Sequence, residues 1–259
     1  MKLRNAFALF EDLSMCMRIA LLPTLKAIFR RPSMLLHPSL IRREFMAHVW
    51  VAFGQGIDQN TRELKERFIT PNAYGVVLDV GAGHGHSSKY LDRSKVTKYA
   101  ALEPNAAMHA EIRRIAGEAG FREDDGTLLI VPYGAEDLAL LTSALGGAHT
   151  VDTILSILSL CGVPEPQATM RALADEVLKP GGQILFYEHV LSRRPDVAWW
   201  QRFWTPLWRT AFDGCCLDRP TDLWLEELDI WQSKDVWSKE DEPEEHLWWH
   251  RGGKLVKEA

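Results

Sequence analysis

Three glycines at alternate positions interrupt the chain directly after an apolar run, in Val76-Val77-Leu78-Asp79-Val80-Gly81-Ala82-Gly83-His84-Gly85-His86-Ser87. The β-branched and aliphatic residues up to Val80 favour a strand, the glycines force a tight turn, and Ser87-Ser88 reads as the start of a helix. Such a turn lets a ligand approach bare main chain, because glycine reaches positive φ, and a helix N-terminus behind it offers unpaired N–H groups. The spacing narrows the choice of ligand. A dinucleotide fingerprint runs Gly-x-Gly-x-x-Gly, whereas here Gly85 comes one residue early and an acid, Asp79, stands two residues before the first glycine.

The next predicted strand, Lys98–Glu103, ends in an acid followed by Pro104-Asn105. An acid at that strand end can accept hydrogen bonds from ribose hydroxyls; the alternative is a first-turn helix charge beside Asn105. A helical pattern over Ala106–Ala119 leads to a short strand, Thr127–Val131, and then to Tyr133-Gly134-Ala135-Glu136-Asp137, a second small-residue turn with acids. Val151–Leu158 is apolar on both faces, as a central parallel strand is. A helix over Glu165–Leu178, the turn Lys179-Pro180-Gly181-Gly182 and a strand over Gln183–Val190 follow. Leu228–Trp231 and His246–Val256 read as two further strands. Alternating strands and helices predict an α/β fold with a doubly wound, Rossmann-like, mostly parallel sheet of seven strands.

Before this domain the chain is helical. Phe7, Phe10, Leu13, Met17, Leu21, Leu22 and Leu25 recur at helical spacing. That stretch is too interrupted by charge to span a bilayer; packing on its own domain is favoured over lying on a membrane surface. Further helical patterns cover Ser39–Phe53, with His48 and Trp50, and Asp58–Ile69. The expected division is a helical extension or lid over residues 1–70 and an α/β domain over 71–259, a size that 259 residues with 46% hydrophobic content can support. Net charge of -5 argues against a nucleic-acid partner. Cys16, Cys161, Cys215 and Cys216 form no Cys-x-x-Cys pair and no metal spacing with histidine, so no metal is expected. Unpaired cysteines fit a reduced, cytoplasmic setting. Glu11, Asp12, Arg18 and Lys26 break any secretory signal, and peripheral attachment to an intracellular membrane stays open. The acidic segment Lys239–Glu245 reads as a solvated loop.

The pattern Asp79-x-Gly81-x-Gly83-x-Gly85, together with Leu178-Lys179-Pro180-Gly181-Gly182-Gln183, resembles the class I S-adenosylmethionine (SAM) dependent methyltransferases of the type 11 domain. The resemblance implies that Asp79, Gly81, Gly83 and Gly85 form the cofactor turn and that Glu103, with Pro104, Asn105 and Met108, holds the ribose side. It further implies that Ala135 and Glu136 lie beside the adenine, and that Ser156, at a strand end, is a further cofactor-binding residue. Glu136 and Asp137 also fit as plain helix charges. The last two strands become an antiparallel edge, the N-terminal helices a lid over the cofactor, and S-adenosylhomocysteine the coproduct. Leu160-Cys161-x-Val163, Tyr187-Glu188-His189-Val190 and Phe212-Asp213-Gly214-Cys215-x-Leu217-x-Arg219 are similar, in order, to the animal alkyl-thiol methyltransferases. Those enzymes begin with a strongly apolar anchor, from which this charged start departs. Small fungal polyketide-pathway O-methyltransferases are also similar in general form, so oxygen and sulfur both stand as acceptor atoms on a small hydrophobic molecule.

Methyl transfer to a hydroxyl or thiol asks the protein to align the acceptor, exclude water and take up a proton. His189 leads as the base, since imidazole titrates near neutral pH; a histidine bonded to a neighbouring loop is its plainer role. Asp213 comes second, as base or as an orienting group, with a turn cap as its alternative, and His48 on the lid third. Cys161 reads as a pocket-lining or simply buried thiol. Trp199, Trp200, Phe203, Trp204, Trp208 and Phe212 crowd one predicted helix. Trp200, Trp204 and Trp208 share a face and Trp199 and Phe203 an adjoining one, so the helix can roof a flat apolar acceptor as well as pack on the N-terminal helices.

Overall fold

The computed structural model describes residues 1–259. Its sheet has strands β1 (Gly75–Val80), β2 (Val96–Leu102), β3 (Leu128–Val131), β4 (Val151–Ile157), β5 (Leu178–His189), β6 (Trp231–Ser238) and β7 (His250–Lys257), in the order β3-β2-β1-β4-β5-β7-β6. β1 to β5 pair in parallel, while β7 runs antiparallel to both β5 and β6. The expected seven-stranded, doubly wound sheet with an antiparallel edge is therefore present. The order reverses between β1 and β4, and ligands of open α/β sheets bind beyond the carboxyl ends of the strands at such a point.

Alternation along the strands explains why both sheet faces are covered. Leu78, Ile154, Ile184 and Phe186 join one core cluster with Met170, Leu173 and Leu225. Val77, Tyr99, Leu155 and Leu185 point the other way, into a second cluster with Phe68, Ile112 and Phe121. A third cluster joins Leu9, Cys16 and Ala20 of helix α2 (Ala8–Arg30) and Phe45 and Val49 of α3 (Pro38–Asn60) to Val197, Trp204 and Trp208 of α8 (Pro195–Ala211). The indole of Trp204 donates to the carbonyl of Ala6, 2.7 Å away, fastening the short first helix α1 (Leu3–Ala6) to α8. The N-terminal helices thus pack on the α/β domain through an apolar seam. No helix is long and apolar enough to cross a membrane.

Several boundaries differ from the sequence expectation. The helix expected over Ser39–Phe53 continues to Asn60 through Gly54 and Gly56, and the next, α4, spans Arg62–Asn72. The predicted helix Glu165–Leu178 is α7 (Pro166–Ala172) followed by a π turn at Leu173–Val177. Leu178 already pairs with Val151, so β5 absorbs the Lys179–Gly182 turn as a bulge. The strand expected at Leu228–Trp231 begins only at Trp231. Leu228 and Trp231 are buried because they plug the first core cluster beyond helix α9 (Thr221–Glu226), whereas β6 is an edge strand with an exposed polar start, Gln232–Asp235, that carries little apolar signal. No α-helix follows the glycine turn: His86–Tyr90 is a single 3₁₀ turn.

Candidate active site

A cavity of about 830 Å³ opens at the carboxyl edge of the sheet, within the range of about 300–1,000 Å³ usual for small-molecule sites. Gly81, Gly83, Glu103, Asn105, Ala135 and Glu136 line one side. Tyr187, His189, Trp208, Phe212, Asp213, Cys215 and Trp248 line the other, and Arg42, Arg43, Met46, Trp50 and Phe53 of α3 close over it.

The glycine turn is built as the spacing demands. Gly81, Gly83 and Gly85 have φ of 66°, 56° and 77°, in the left-handed region that side chains resist. A Cβ on Gly81 would lie 2.7 Å from Cβ of Ser159, and one on Gly83 2.7 Å from Nε1 of Trp50. Gly81 and Gly83 line the cavity, whereas Gly85 packs against Ile112 behind it. With one 3₁₀ turn after the glycines, the expected helix N-terminus is missing, and what faces the cavity there is the turn itself together with α3. Asp79 sits behind the turn, buried, and accepts a 2.7 Å hydrogen bond from the hydroxyl of Tyr99. Burial pushes its carboxyl up to about 6, against the pull of Tyr99 and Ser87. It faces a chamber of about 30 Å³ shared with Asp58 and Lys65, too small for more than a water molecule. The buried carboxylate of Asp58 takes Lys65, Lys89 and the Tyr90 hydroxyl at 2.8, 3.0 and 2.9 Å, binding the end of α3 to the turn region.

Glu103 carries the second half of the cofactor side. Its Oε2 accepts the N–H of Gly83 at 2.9 Å and its Oε1 that of Asn105 at 2.8 Å, so this strand-end acid and the glycine turn are one unit. Burial nevertheless raises its carboxyl to about 7, with the two backbone donors opposing. A carboxylate offers about four acceptor positions; two are taken here and two remain for a pair of ribose hydroxyls. Pro104, Met108, Ala135 and Glu136 join the same wall, and Glu136 folds back over Gly134, which has no side chain to obstruct it. Asn105 donates to the carbonyl of Arg43 at 3.1 Å, joining the strand end to α3. Ser156 lies apart from the cavity wall: its hydroxyl donates to Glu188 at 2.7 Å.

The residues fit SAM. Nε1 of Trp50 and Nε of Arg42 are buried donors without partners on the α3 face of the cavity. Unpaired buried donors are costly, and the carboxylate of the methionine part is an acceptor that would satisfy them. The glycine cradle and the free acceptor positions of Glu103 complete the set. Trp50 and Arg42 escape sequence reasoning because nothing in the local pattern marks a lid tryptophan or arginine as aimed at a distant turn.

On the acceptor side, His189 ends β5, 3% exposed, with Nε2 3.5 Å from Sγ of Cys215 and Trp248 edge-on to its ring at 4.9 Å. Burial opposes its protonation, but the Cys161 sulfur and the Glu188 carboxylate outweigh that and raise it. Asp213 sits at φ 45°, a strained conformation of the kind that collects at active sites. Burial raises its carboxyl, Arg43 and Arg42 oppose, and no hydrogen bond contributes. His48 is elsewhere: it pairs with Glu44 at 3.1 Å, one turn away on α3, and does not line the cavity, because the inward positions of that helix fall to Met46, Trp50 and Phe53. Of the aromatics predicted on that helix, Trp204, Trp208 and Phe212 are buried, Trp208 and Phe212 reach the cavity, and Trp199 and Phe203 are 56% and 54% exposed.

Three further features lie outside the sequence reading. Glu188, fully buried, gathers the Ser156 hydroxyl and the N–H groups of Ser159 and Leu160 on one oxygen, fixing the loop after β4. Glu242 is not solvated, as its acidic segment implied; it turns inward to hold His246 and His250 at 3.1 and 2.6 Å. Burial works against its charge, yet these bonds hold its carboxyl down at about 2. Cys161 and Cys215, fifty-four residues apart, meet at 3.4 Å beside His189. No metal spacing exists along the chain, and the fold makes the ligand cluster that the sequence lacks.

Comparison with known proteins places this geometry. A family model described as "Methyltransferase domain" matches residues 51–226. The chain is 32% identical over 149 residues to the thiol S-methyltransferase TMT1B of Homo sapiens, covering 56% of this chain and 55% of the relative. It is 26% identical over 183 residues to the thiol S-methyltransferase TMT1A of Homo sapiens, covering 68% and 69%. The chain thus spans about half the length of the TMT1B relative. Among solved structures, an O-methyltransferase family protein from Burkholderia thailandensis superposes with a TM-score of 0.57 at 13% identity, over 90% of this chain and 64% of that one, a likeness of fold.

Proposed function

This chain belongs to the methyltransferase-domain family, and we propose that it is a SAM-dependent methyltransferase acting on the sulfur of a small apolar thiol, with an acidic hydroxyl as the lesser acceptor. The observation that carries the proposal is the cavity itself, whose cofactor wall at Gly81, Gly83 and Glu103 faces a second wall of Trp208, Phe212, Tyr187 and Trp248. Similarity to thiol S-methyltransferases supports sulfur over oxygen.

Bound SAM supplies a methyl group already activated on a sulfonium. Glu103 and the glycine turn hold the ribose and methionine ends, while Trp50 and Arg42 cover them from α3. The aromatic wall takes the apolar body of the acceptor and keeps water out, which aligns sulfur and methyl carbon in one line. Asp213 is the group we assign to the acceptor's proton, because its carboxylate lines the cavity unengaged and burial raises it, whereas Nε2 of His189 is turned to Cys215. A thiol ionises readily and leans little on that base.

Comparing Asp213→Asn with the parent on alkane thiols and on phenols tests the assignment. General-base loss costs about 10²–10⁴-fold, so phenol turnover falls by at least about a hundredfold while thiol turnover falls several-fold. Equal losses on both acceptors, or none on either, contradict the role of Asp213.

A second location-dependent reading rests on α2, where Phe10, Leu22, Leu25 and Phe29 are 61%, 59%, 51% and 88% exposed. An apolar outer face of that size suits attachment to a membrane surface, which would concentrate an apolar acceptor near the cavity.

A further inference from the structure

Cys161 leaves the loop after β4, His189 closes β5, and Cys215 follows α8, yet their ligand atoms lie within 4.8 Å of one another. Sγ of Cys215 stands 3.4 Å from Sγ of Cys161 and 3.5 Å from Nε2 of His189. These edges come close to those of a metal tetrahedron, the sulfur–nitrogen edge equal to it and the sulfur–sulfur edge about 0.4 Å short of it. Zinc–sulfur and zinc–nitrogen bonds of about 2.3 and 2.0 Å imply a sulfur–sulfur edge of about 3.8 Å and a sulfur–nitrogen edge of about 3.5 Å. The three ligands are also held from behind. The N–H of Cys216 donates to the carbonyl of Cys161 at 2.9 Å, Arg219 clamps the carbonyls of Leu160 and Val163 at 2.9 and 2.7 Å, and Trp248 fixes the imidazole plane.

We infer that Cys161, His189 and Cys215 bind one soft divalent cation of the zinc class, with the fourth coordination position open to the cavity. Charge favours this occupant. Two thiols give up their protons to water as the cation enters, so two thiolates, a neutral imidazole and a divalent ion sum to zero in a buried place. Three protein ligands with an open fourth position are the arrangement of catalytic rather than structural zinc. All three ligand residues line the cavity, so the open position is where an acceptor thiol coordinates. That thiol loses its proton to water on binding, and its metal-bound sulfur is the nucleophile that forms the new sulfur–carbon bond. This second half rests on the proposed thiol acceptor, while the metal site itself does not. His189 then serves as a ligand and not as a base. The other cluster, Glu242 with His246 and His250, is a closed set of hydrogen bonds with a charged carboxylate already satisfied, and it needs no ion.

Cobalt(II) loading of the reduced full chain tests the site without reference to turnover. The account predicts one retained cobalt ion with tetrahedral d–d absorption and a sulfur-to-cobalt charge-transfer band. Cys161→Ser and Cys215→Ser each weaken or abolish that band while melting like the parent, and Glu242→Gln keeps it. An alkane thiol added without SAM shifts the d–d bands. Failure to retain cobalt, or a spectrum unchanged in both serine variants or lost in Glu242→Gln, overturns the site. A thiolate-type spectrum that no alkane thiol perturbs keeps the metal site and overturns its role in holding the acceptor. Methylation of phenols alone would instead overturn the thiol acceptor, with the cobalt spectrum intact.

Discussion

Glu103 anchors the glycine turn through Gly83, and we propose that its remaining acceptor positions take the ribose. Its raised carboxyl has a signed consequence. The ligand-free folded chain holds a proton between the ordinary 4.5 and about 7 that the unfolded chain has lost. From this group, stability without cofactor therefore falls as pH rises across that window. Ribose hydroxyls donate to the ionised form, so SAM affinity weakens as pH drops below about 7, approaching tenfold per unit, and is level above it. Calorimetric titration of SAM from pH 5.5 to 8.5 reads this directly. Glu103→Gln weakens binding by about ten- to a hundredfold at pH 8, the effect of losing charge-assisted hydrogen bonds, and flattens the profile. A flat profile in the parent chain would separate Glu103 from the ribose. Glu103 and the glycines are legible in the sequence because each is a residue type that a strand end or a positive φ demands locally. Trp50, Arg42 and the Cys161–His189–Cys215 meeting are not, since their partners are fixed only when distant segments fold together.

At the scale of elements, α3 is both lid and prop for the glycine turn. Two glycine substitutions separate these effects. Gly83→Ala places a Cβ at φ 56° and 2.7 Å from the Trp50 indole. Left-handed strain alone costs about 1–2 kcal/mol, and displacement of Trp50 adds loss of SAM affinity. Gly56→Ala, in the exposed interior of α3 with nothing within 4 Å of the new Cβ, stabilises by about 0.5–1 kcal/mol through helix propensity. Thermal melts with and without SAM check both, and a Gly83→Ala protein with normal SAM binding would contradict the cradle. The presence and parallel direction of β1 to β5 follow from apolar runs alternating with helical patterns and turn residues, which is why those strands read correctly, whereas their order in the sheet is set by packing that no local pattern shows. β6 does not read correctly, because an edge strand with polar Gln232–Asp235 has no apolar run, and in place of the helix expected after Ser87 there is one 3₁₀ turn, His86–Tyr90, before β2 begins at Val96.

The whole molecule presents an α/β sheet whose switch-point cavity is closed by helices that also expose a large apolar surface. Sedimentation with anionic vesicles measures that surface: the chain is expected to pellet with the vesicles, and Phe10→Ser with Phe29→Ser to release it, while a parent chain that stays in the supernatant excludes membrane attachment. The central claim is narrower, that the cavity takes the apolar body of a thiol beside the cofactor wall. Its most direct measurement is kcat/KM for methyl transfer along a series of straight-chain alkane thiols, read as S-adenosylhomocysteine and product mass. Each buried methylene is worth about 0.8 kcal/mol, so kcat/KM rises about three- to fourfold per carbon until the cavity is filled. A series that is flat or falling with chain length, or methylation of phenols with thiols untouched, would contradict the account.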